Sequence, residues 1–155
     1  MWSDFRSDRS DLSLSSLEKF AGDRGMIEGS CHCGEVHWRY DGRPDAATAC
    51  NCTWCRRHGV LWAYAEEGRG IDVRGATRQY LHGERIIEFH FCAVCGCLAY
   101  WRAVHANPRG RHRMAVNLRL AEPDAVARIP IEHFDGLETY ERLPRDGRCV
   151  ADYWF

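Results

Sequence analysis

The sequence has almost no lysine, no long apolar run and almost no net charge. Lys19 is its only lysine although lysine and arginine together number 21, so arginine carries its positive charge. The formal net charge of −1 gives no electrostatic reason to expect nucleic acid or an acidic membrane surface as a partner. No stretch approaches the length of apolar chain that spans a bilayer, and the N-terminal residues lack an apolar signal core. We therefore expect a cytoplasmic protein that does not enter membranes.

Residues 1–25 contain few apolar side chains and are rich in serine, aspartate and arginine. This composition predicts a polar, mobile N-terminal extension. The alternative is a packed terminal helix, since apolar residues recur between Leu12 and Phe20. Residues 26–155 are predicted to form a single domain of ordinary size. The sequence contains no indication of the oligomeric state.

Strand-type patterns dominate the chain after the first 34 residues. Residues 36–40 and 114–120 alternate between apolar and polar side chains, which is the period of a half-buried strand. Short apolar runs elsewhere are separated by turn sequences such as His82-Gly83. Only residues 121–127 suggest a helical turn. These patterns predict a mostly β domain built of antiparallel sheets.

Cysteine is the residue that the chain has in excess, with nine among 155 residues. Three closely spaced groups stand out: C-x-C at Cys31 and Cys33, C-x-C-x-x-C at Cys50, Cys52 and Cys55, and C-x-x-C at Cys92 and Cys95. Cysteines spaced this closely bring their thiolates to one point in space. The group most often bound at such a point is a metal ion. The odd number of cysteines and the expected reducing location both argue against a disulfide framework.

The two cysteine pairs predict one closed structural zinc site. Residues i and i+2 of an extended segment point to the same side, so Cys31 and Cys33 can bind one ion. Cys92 and Cys95 fit the zinc-knuckle turn, in which the glycine that follows can adopt a positive φ. An iron–sulfur cluster is the alternative, although the spacing matches neither ferredoxin pattern. His90 could lie in the shell of side chains around this site.

The triplet of Cys50, Cys52 and Cys55 is predicted to bind a second zinc, because so short a loop cannot reach separate sites. Three thiolates leave one coordination position open, and a soft exogenous thiol could bind there as a thiolate. Alternatively a fourth protein ligand closes the site, and the candidates are His58, Cys97 and Cys149. Cys97 could equally face the first site or be an ordinary buried thiol.

Four further residues could contribute to the second site. Arg56, Arg57 and His58 directly follow the triplet, where they could neutralise an anionic substrate or assist proton transfer. Trp54 lies inside the triplet and either walls the open coordination position or belongs to the core. We expect these residues to act on substrate only if the triplet is catalytic.

At these motifs the chain resembles the family of the glutathione-dependent formaldehyde-activating enzyme, which also includes centromere protein V. The resemblance rests on GSCHCG at 29–34, on CNCTWCRRHGV at 50–60 and on FCAVCG at 91–96. It extends over about residues 28–135. Asn51 stands where the family often has histidine.

The resemblance implies a β-tent fold, a structural zinc on the two cysteine pairs and a catalytic zinc on the triplet. It also implies the addition of glutathione to formaldehyde, which gives S-hydroxymethylglutathione and is classed as a carbon–sulfur lyase reaction. We therefore expect two zinc ions per chain, a small-molecule thiol and aldehyde as partners, and glutathione as co-substrate. The alternatives are a non-catalytic zinc-binding interaction module and a metal- or redox-responsive domain whose triplet loses zinc on oxidation.

Overall fold

The computed structural model describes residues 25–153, so the predicted N-terminal extension lies outside the described residues except for Gly25. Eleven strands form one mixed sheet, and the helices are single short turns. The prediction of a mostly β fold is therefore confirmed. None of the helices within residues 25–153 has the length and apolar character needed to cross a membrane.

The elements follow one another closely along the chain. The strands are β1 (Ile27–Ser30), β2 (His37–Tyr40), β3 (Ala47–Cys50), β4 (Trp62–Glu67), β5 (Gly70–Arg74), β6 (Thr77–His82), β7 (Ile87–Cys92), β8 (Leu98–Ala103), β9 (Arg113–Asn117), β10 (Ile131–Asp135) and β11 (Glu141–Arg142). The helical elements are α1 (Cys55–His58), α2 (Pro123–Val126) and 3-10 helices at Leu118–Leu120 and Val150–Tyr153.

The sheet combines antiparallel and parallel neighbours. Its main path is β1-β2-β5-β4-β9-β8-β7-β6, while β3 pairs with both β4 and β10, and β11 pairs with β10. Most pairs are antiparallel, as expected, but β4 runs parallel to β5 and β3 runs parallel to β10. The β3–β10 pair matters most for the site, because it places Phe134 opposite Cys50.

Two apolar clusters pack against the sheet, and each contains one of the cysteine groups. Cys31 and Cys92 belong to the first cluster, whereas Cys55 belongs to the second. Leu61 and Trp62, although adjacent in sequence, fall into the first and second clusters respectively. Successive side chains of an extended segment point to opposite faces, so the two cysteine groups are associated with different faces of the sheet.

The alternating pattern over residues 114–120 is a strand only as far as Asn117. The 3-10 helix Leu118–Leu120 follows at once. The side-chain oxygen of Asn117 accepts hydrogen bonds from the backbone N–H groups of Arg119 at 3.2 Å and Leu61 at 3.3 Å. The prediction of a strand to the end of the pattern is wrong because this buried amide caps a helical turn.

Candidate metal sites

Four cysteines from two distant turns meet at one point. Cys31 follows β1, Cys33 lies in the next turn, Cys92 ends β7, and Cys95 lies in the turn towards β8. Their Sγ atoms all lie within 4.8 Å of one another. Cys33 Sγ is 3.6 Å from the Sγ atoms of both Cys31 and Cys92. The structure thus brings together the four residues that the sequence assigns to one site.

The Cys31–Cys33 pair is built by a turn and not by an extended segment. The N–H of Gly34 donates to the carbonyl of Cys31 at 2.9 Å, and Gly34 has φ +78°. Gly96 plays the same part behind Cys92, with an N–H to carbonyl distance of 3.1 Å and φ +75°. The predicted extended geometry is therefore wrong. Both cysteine pairs use a tight turn that a glycine of positive φ completes.

The spacing and surroundings of the four sulfurs suit a tetrahedral zinc. A tetrahedron with Zn–S bonds of about 2.3 Å has S–S edges of about 3.8 Å, close to the observed 3.6 Å. The backbone N–H of Val36 donates to Cys31 Sγ at 3.2 Å. The backbone N–H of Cys97 lowers the pKa of Cys95 to about 5. Such donors favour the thiolate form that zinc binds.

The second group is held by one loop and the helix that follows it. Cys50 ends β3, Cys52 lies in the loop, and Cys55 is the first residue of α1. Their three Sγ atoms lie within 4.8 Å of one another. The N–H of Cys52 donates to Cys50 Sγ at 3.4 Å, and the N–H of Cys55 donates to Cys52 Sγ at 3.3 Å. The loop therefore directs both sulfurs inward through its own backbone.

In the described part of the chain, no fourth His, Cys, Asp or Glu joins the triplet. The candidates for that position are engaged elsewhere. His58 Nδ1 lies 3.0 Å from the carbonyl of Trp54. Cys97 packs against the first apolar cluster. Cys149 lies in a bridge with Pro130, outside the group, so none of the three candidates closes it.

Two thiols of the triplet, those of Cys50 and Cys55, have pKa values shifted in opposite directions. A hydrogen bond with Cys55 lowers the pKa of Cys50 to about 6, and the same bond raises the pKa of Cys55 well above its usual range. Trp62 Nε1 also donates to Cys55 Sγ at 3.3 Å, from a ring that is almost fully buried. One thiolate, at Cys50, is thus stabilised within the group, and the binding of a metal ion would displace the remaining thiol protons.

Gly136 packs directly against the triplet. A Cβ atom at this position would lie 2.6 Å from Cys50 Sγ and 3.0 Å from Cys52 Cβ. The site therefore requires glycine here for space. This residue was not predicted from the sequence, although the Asp-Gly dipeptide that follows the strand-like PIEHF was a usable signal.

Asn51 connects the triplet loop to the end of β10. Its Nδ2 donates to Asp135 Oδ1 at 2.9 Å. Asp135 also accepts hydrogen bonds from the backbone N–H groups of residues 137–139 and from the hydroxyl of Thr139. The bond from Asn51, together with these, holds the pKa of Asp135 well below its usual range. One carboxylate therefore fixes the loop after β10 against the triplet.

The three basic residues after the triplet lie on the exposed helix α1. Arg57 Nη1 donates to the carbonyl of Thr53 at 2.7 Å, and His58 is bound to Trp54 as described. Within residues 25–153, the side chain of Arg56 makes no hydrogen bond or ion pair. Of the three predicted residues, Arg56 is the one whose charge is available to an anionic ligand.

Trp54 stands at the centre of an aromatic stack beside the triplet. Its ring centroid lies 4.4 Å from that of Tyr80, 4.3 Å from that of His58 and 4.8 Å from that of Phe89. Trp54 is half-buried and packs on the apolar cluster that contains Cys55. These contacts support the interpretation of Trp54 as a core residue.

His90, predicted to lie around the four-cysteine site, makes its described contacts with other side chains. Its Nδ1 lies 3.0 Å from Thr77 Oγ1, and its ring stacks on Tyr100 at 4.2 Å. Burial lowers its pKa, which favours the neutral ring. His90 therefore ties β6, β7 and β8 together next to the turn that bears Cys92.

Tyr64 is a second residue near the triplet that was not predicted. It lies on the same face of β4 as Trp62 and packs on the cluster that contains the triplet. Burial raises the pKa of Tyr64 to about 12, so its hydroxyl keeps its proton at neutral pH. The guanidinium of Arg113 lies 4.7 Å from the centre of its ring. The alternation of β4 indicates that Tyr64 shares a face with Trp62, but not that this face carries the triplet.

Comparison with known proteins gives three findings. The model of a family described as glutathione-dependent formaldehyde-activating enzyme matches residues 26–128. A Halomonas elongata protein that carries the same enzyme name as a provisional assignment is 28% identical over 141 residues, which cover 83% of this chain and 88% of that protein. A crystal structure of a Rhodobacter sphaeroides protein is similar with a TM-score of 0.51 and 28% identity, covering 68% of this chain and 99% of that one. The family match contains both cysteine groups and ends before β10.

Proposed function

Because this chain belongs to the family of glutathione-dependent formaldehyde-activating enzymes, we propose that it is a zinc-dependent enzyme of the carbon–sulfur lyase type. It adds a thiol, glutathione or a similar compound, to a small aldehyde such as formaldehyde. A bond forms between the thiol sulfur and the carbonyl carbon while the C=O double bond becomes a single bond, and the S–H bond breaks so that its proton ends on the carbonyl oxygen. No oxidant or further reactant is needed.

The observation that supports this proposal is the convergence of three sulfurs without a fourth protein ligand among residues 25–153. We assign a second zinc to Cys50, Cys52 and Cys55, whose soft donors suit that metal. Zinc bound there would lower the pKa of a coordinated thiol and keep it as a nucleophilic thiolate at neutral pH.

The surrounding residues would hold the group in place and orient the substrate. Trp62 donates to Cys55, and the amides of Cys52 and Cys55 donate to neighbouring sulfurs, so the triplet is pre-oriented. Arg56 would bind a carboxylate of the thiol, since its guanidinium is unpaired in the described chain. Tyr64, with its proton retained, could donate a hydrogen bond to the aldehyde oxygen.

The four-cysteine cluster would hold a structural zinc in this scheme. Four protein sulfurs complete a tetrahedral shell and leave no position for substrate. All nine cysteines are free thiols in the structure, and a reducing, cytoplasmic setting would keep them so. The four-cysteine cluster would therefore stabilise the fold, and the triplet would carry the reaction.

Exchange NMR of a glutathione and formaldehyde mixture tests the proposal. The zinc-loaded protein should accelerate the exchange between free and thiol-bound formaldehyde, and Cys52→Ser should abolish the acceleration while retaining the fold. If the wild-type protein gives no acceleration but binds glutathione, it is a thiol- or metal-responsive module. If it neither accelerates exchange nor binds any thiol, an interaction module becomes the better interpretation.

A further inference from the structure

One buried side-chain hydrogen bond reaches the triplet from outside its own loop. The Nε1–H of Trp62 donates to Cys55 Sγ at 3.3 Å, and Trp62 is 1% exposed. Water does not compete for this N–H at such depth, and within residues 25–153 the N–H has no other partner. A buried donor without an acceptor costs free energy. The indole of Trp62 therefore depends on an acceptor at Cys55.

The fold holds this indole in place independently of the triplet loop. The helix α1 begins at Cys55 and is a single turn that Gly59 ends with φ +59°. The chain then enters β4, whose first residue is Trp62. Trp62 lies opposite Thr48 in the β3–β4 pair, and its ring centroid is 6.2 Å from that of Phe89. Strand pairing and ring packing thus fix the direction of the N–H.

Cys55 differs from the other two triplet cysteines in the kind of donor that its sulfur has. Cys50 Sγ accepts from the N–H of Cys52, and Cys52 Sγ accepts from the N–H of Cys55. These donors are backbone groups, whereas the donor to Cys55 is a side chain on another strand. Cys55 is also buried, while Cys50 and Cys52 are half-buried. The bond from Trp62 can therefore be removed by substitution while the backbone donors stay.

The chemistry of this bond determines its effect on a metal at the triplet. A metal-bound thiolate carries negative charge, so an N–H that faces it makes a charge-assisted hydrogen bond. The low dielectric of a buried site strengthens such a bond. The bond draws charge from the sulfur, and partners of metal ligands tune the metal in this way. A metal bound partly by Cys55 would therefore attract a further donor more strongly than it would without this bond.

We propose that Trp62 is a positioning residue of the second site and sets how strongly a metal at the triplet binds its fourth ligand. Because its ring is almost fully buried, Trp62 acts through Cys55 and not by contact with substrate. This assignment rests on the proposed function in one respect, which is that the triplet holds a metal. It deepens that function by naming a residue outside the cysteine motif that tunes the metal.

Nuclear magnetic resonance of the full chain during titration with cadmium-113 tests the assignment. Cadmium-113 replaces zinc at thiolate sites and couples to a proton across an N–H···S hydrogen bond. With nitrogen-15 in the tryptophan indoles, the Nε1–H of Trp62 is identified by its proximity to the Phe89 ring. We expect the cadmium that fills the triplet to move this resonance downfield and to split it, which a purely structural role would not do.

Trp101 provides the internal control for this titration. Its indole packs in the same apolar cluster as Trp62 and makes no hydrogen bond to a cysteine in the part of the chain that the structure describes. The Trp101 resonance should therefore show no splitting when the triplet is filled. A splitting at both indoles would show that the effect is not specific to the bond with Cys55, and it would overturn the assignment.

Trp62→Phe removes the donor and keeps an aromatic ring, and Trp101→Phe is the matched variant for lost packing in the same cluster. The protein is prepared with zinc in the closed cluster and cobalt in the triplet. We expect Trp62→Phe to shift the sulfur-to-cobalt charge-transfer band to lower energy, because the Cys55 thiolate then holds its charge less tightly. Acceleration of formaldehyde exchange by the zinc-loaded variant should fall about tenfold. Trp101→Phe should leave the band at its wild-type energy.

The outcomes separate this assignment from the proposed function. Cadmium at the triplet with an unchanged Trp62 resonance, or an unchanged band in Trp62→Phe, would overturn the assignment, and accelerated formaldehyde exchange by the wild type would still keep the function. A split Trp62 resonance and a shifted band without any acceleration would keep the assignment and discard the reaction. A triplet that binds no cadmium would discard both. If Trp62→Phe does not fold, the titration of the wild type decides alone.

Discussion

Asn51 and Asp135, separated by 84 positions in sequence, are joined by a hydrogen bond of 2.9 Å. Asn51 lies between two of the triplet cysteines, and Asp135 ends the strand that runs parallel to β3. The candidate catalytic loop is therefore fastened to the C-terminal part of the sheet by one side-chain pair. Asn51 therefore holds the loop in place, besides separating Cys50 from Cys52 in sequence.

Substitution of Asn51 should destabilise the protein in a definite order. Asn51→Ala removes one donor from Asp135, whereas Asn51→Asp places two carboxylates face to face. We expect the melting temperature of the zinc-loaded protein to fall by roughly 3 °C for Asn51→Ala and further for Asn51→Asp. Differential scanning calorimetry measures both. An Asn51→Asp protein as stable as the wild type would show that the bond does not secure the loop.

Gly136→Ala should impair the triplet and spare the fold. The new methyl group would lie 2.6 Å from Cys50 Sγ, so the sulfur or the loop must shift. We expect the affinity for the second zinc to fall by about tenfold or more, while the melting temperature of the singly loaded protein changes little. Gly25→Ala is the control, because its Cβ meets nothing within 4 Å. Chelator competition measures the affinity of each variant for the second zinc. An unchanged affinity in Gly136→Ala would contradict the predicted clash.

The two cysteine groups should differ in what their loss does to the fold. Cys92 is 2% exposed within the first apolar cluster, and its sulfur is one of the four that meet at one point. We expect Cys92→Ser to lower the melting temperature by about 10 °C or more, or to prevent folding. Cys52→Ser should retain the wild-type circular dichroism spectrum and melt within a few degrees of the wild type. Equal destabilisation by the two substitutions would disprove the division between a structural and a catalytic site.

Metal analysis should find about two zinc ions per chain at saturation. The triplet is expected to lose its metal first under mild chelation, because three protein thiolates hold an ion less firmly than four. Titration with a chelator, followed by a zinc-sensitive dye, should show two release steps, of which Gly136→Ala shifts only the first. A single tightly held zinc would contradict the open-site assignment.

Arg56 and Arg57 provide an internal comparison for substrate binding. The guanidinium of Arg57 is bound to the carbonyl of Thr53, whereas that of Arg56 is unpaired within the described chain. We expect Arg56→Ala to raise the KM for glutathione about threefold to tenfold with little change in kcat, since it removes uniform binding of a carboxylate. Arg57→Ala should have the smaller effect. Steady-state kinetics show which substitution raises the KM more. A larger increase for Arg57→Ala than for Arg56→Ala would assign the contact with the carboxylate to Arg57.

Local pattern was enough to predict most strands and the membership of both cysteine groups. The alternation around Trp38 and the C-x-C and C-x-x-C spacings are properties of short segments, so they are visible without a partner strand. The error at Asn117 arose because a buried side-chain amide replaced the expected strand hydrogen bonds. The apolar periodicity of the sequence gives no indication of a hydrogen bond of this kind.

The parts that could not be predicted depend on pairing between distant segments. The parallel alignment of β3 with β10 brings Gly136 to Cys50, and nothing near either residue encodes that register. Tyr64 is a similar case, because its place beside the triplet follows from strand pairing across the sheet. Individual strands were therefore predictable, whereas the surroundings of the second site required the assembled sheet.

The position of β10 also sets an order of assembly during synthesis. All four cysteines of the closed cluster have been made once the growing chain passes Cys95, whereas Asp135 and Gly136, which flank the triplet, come later. A nascent chain could therefore bind the zinc that we propose for the closed cluster before the surroundings of the triplet exist. The surroundings of the triplet, for which we propose the reaction, are therefore completed later in synthesis than the closed cluster.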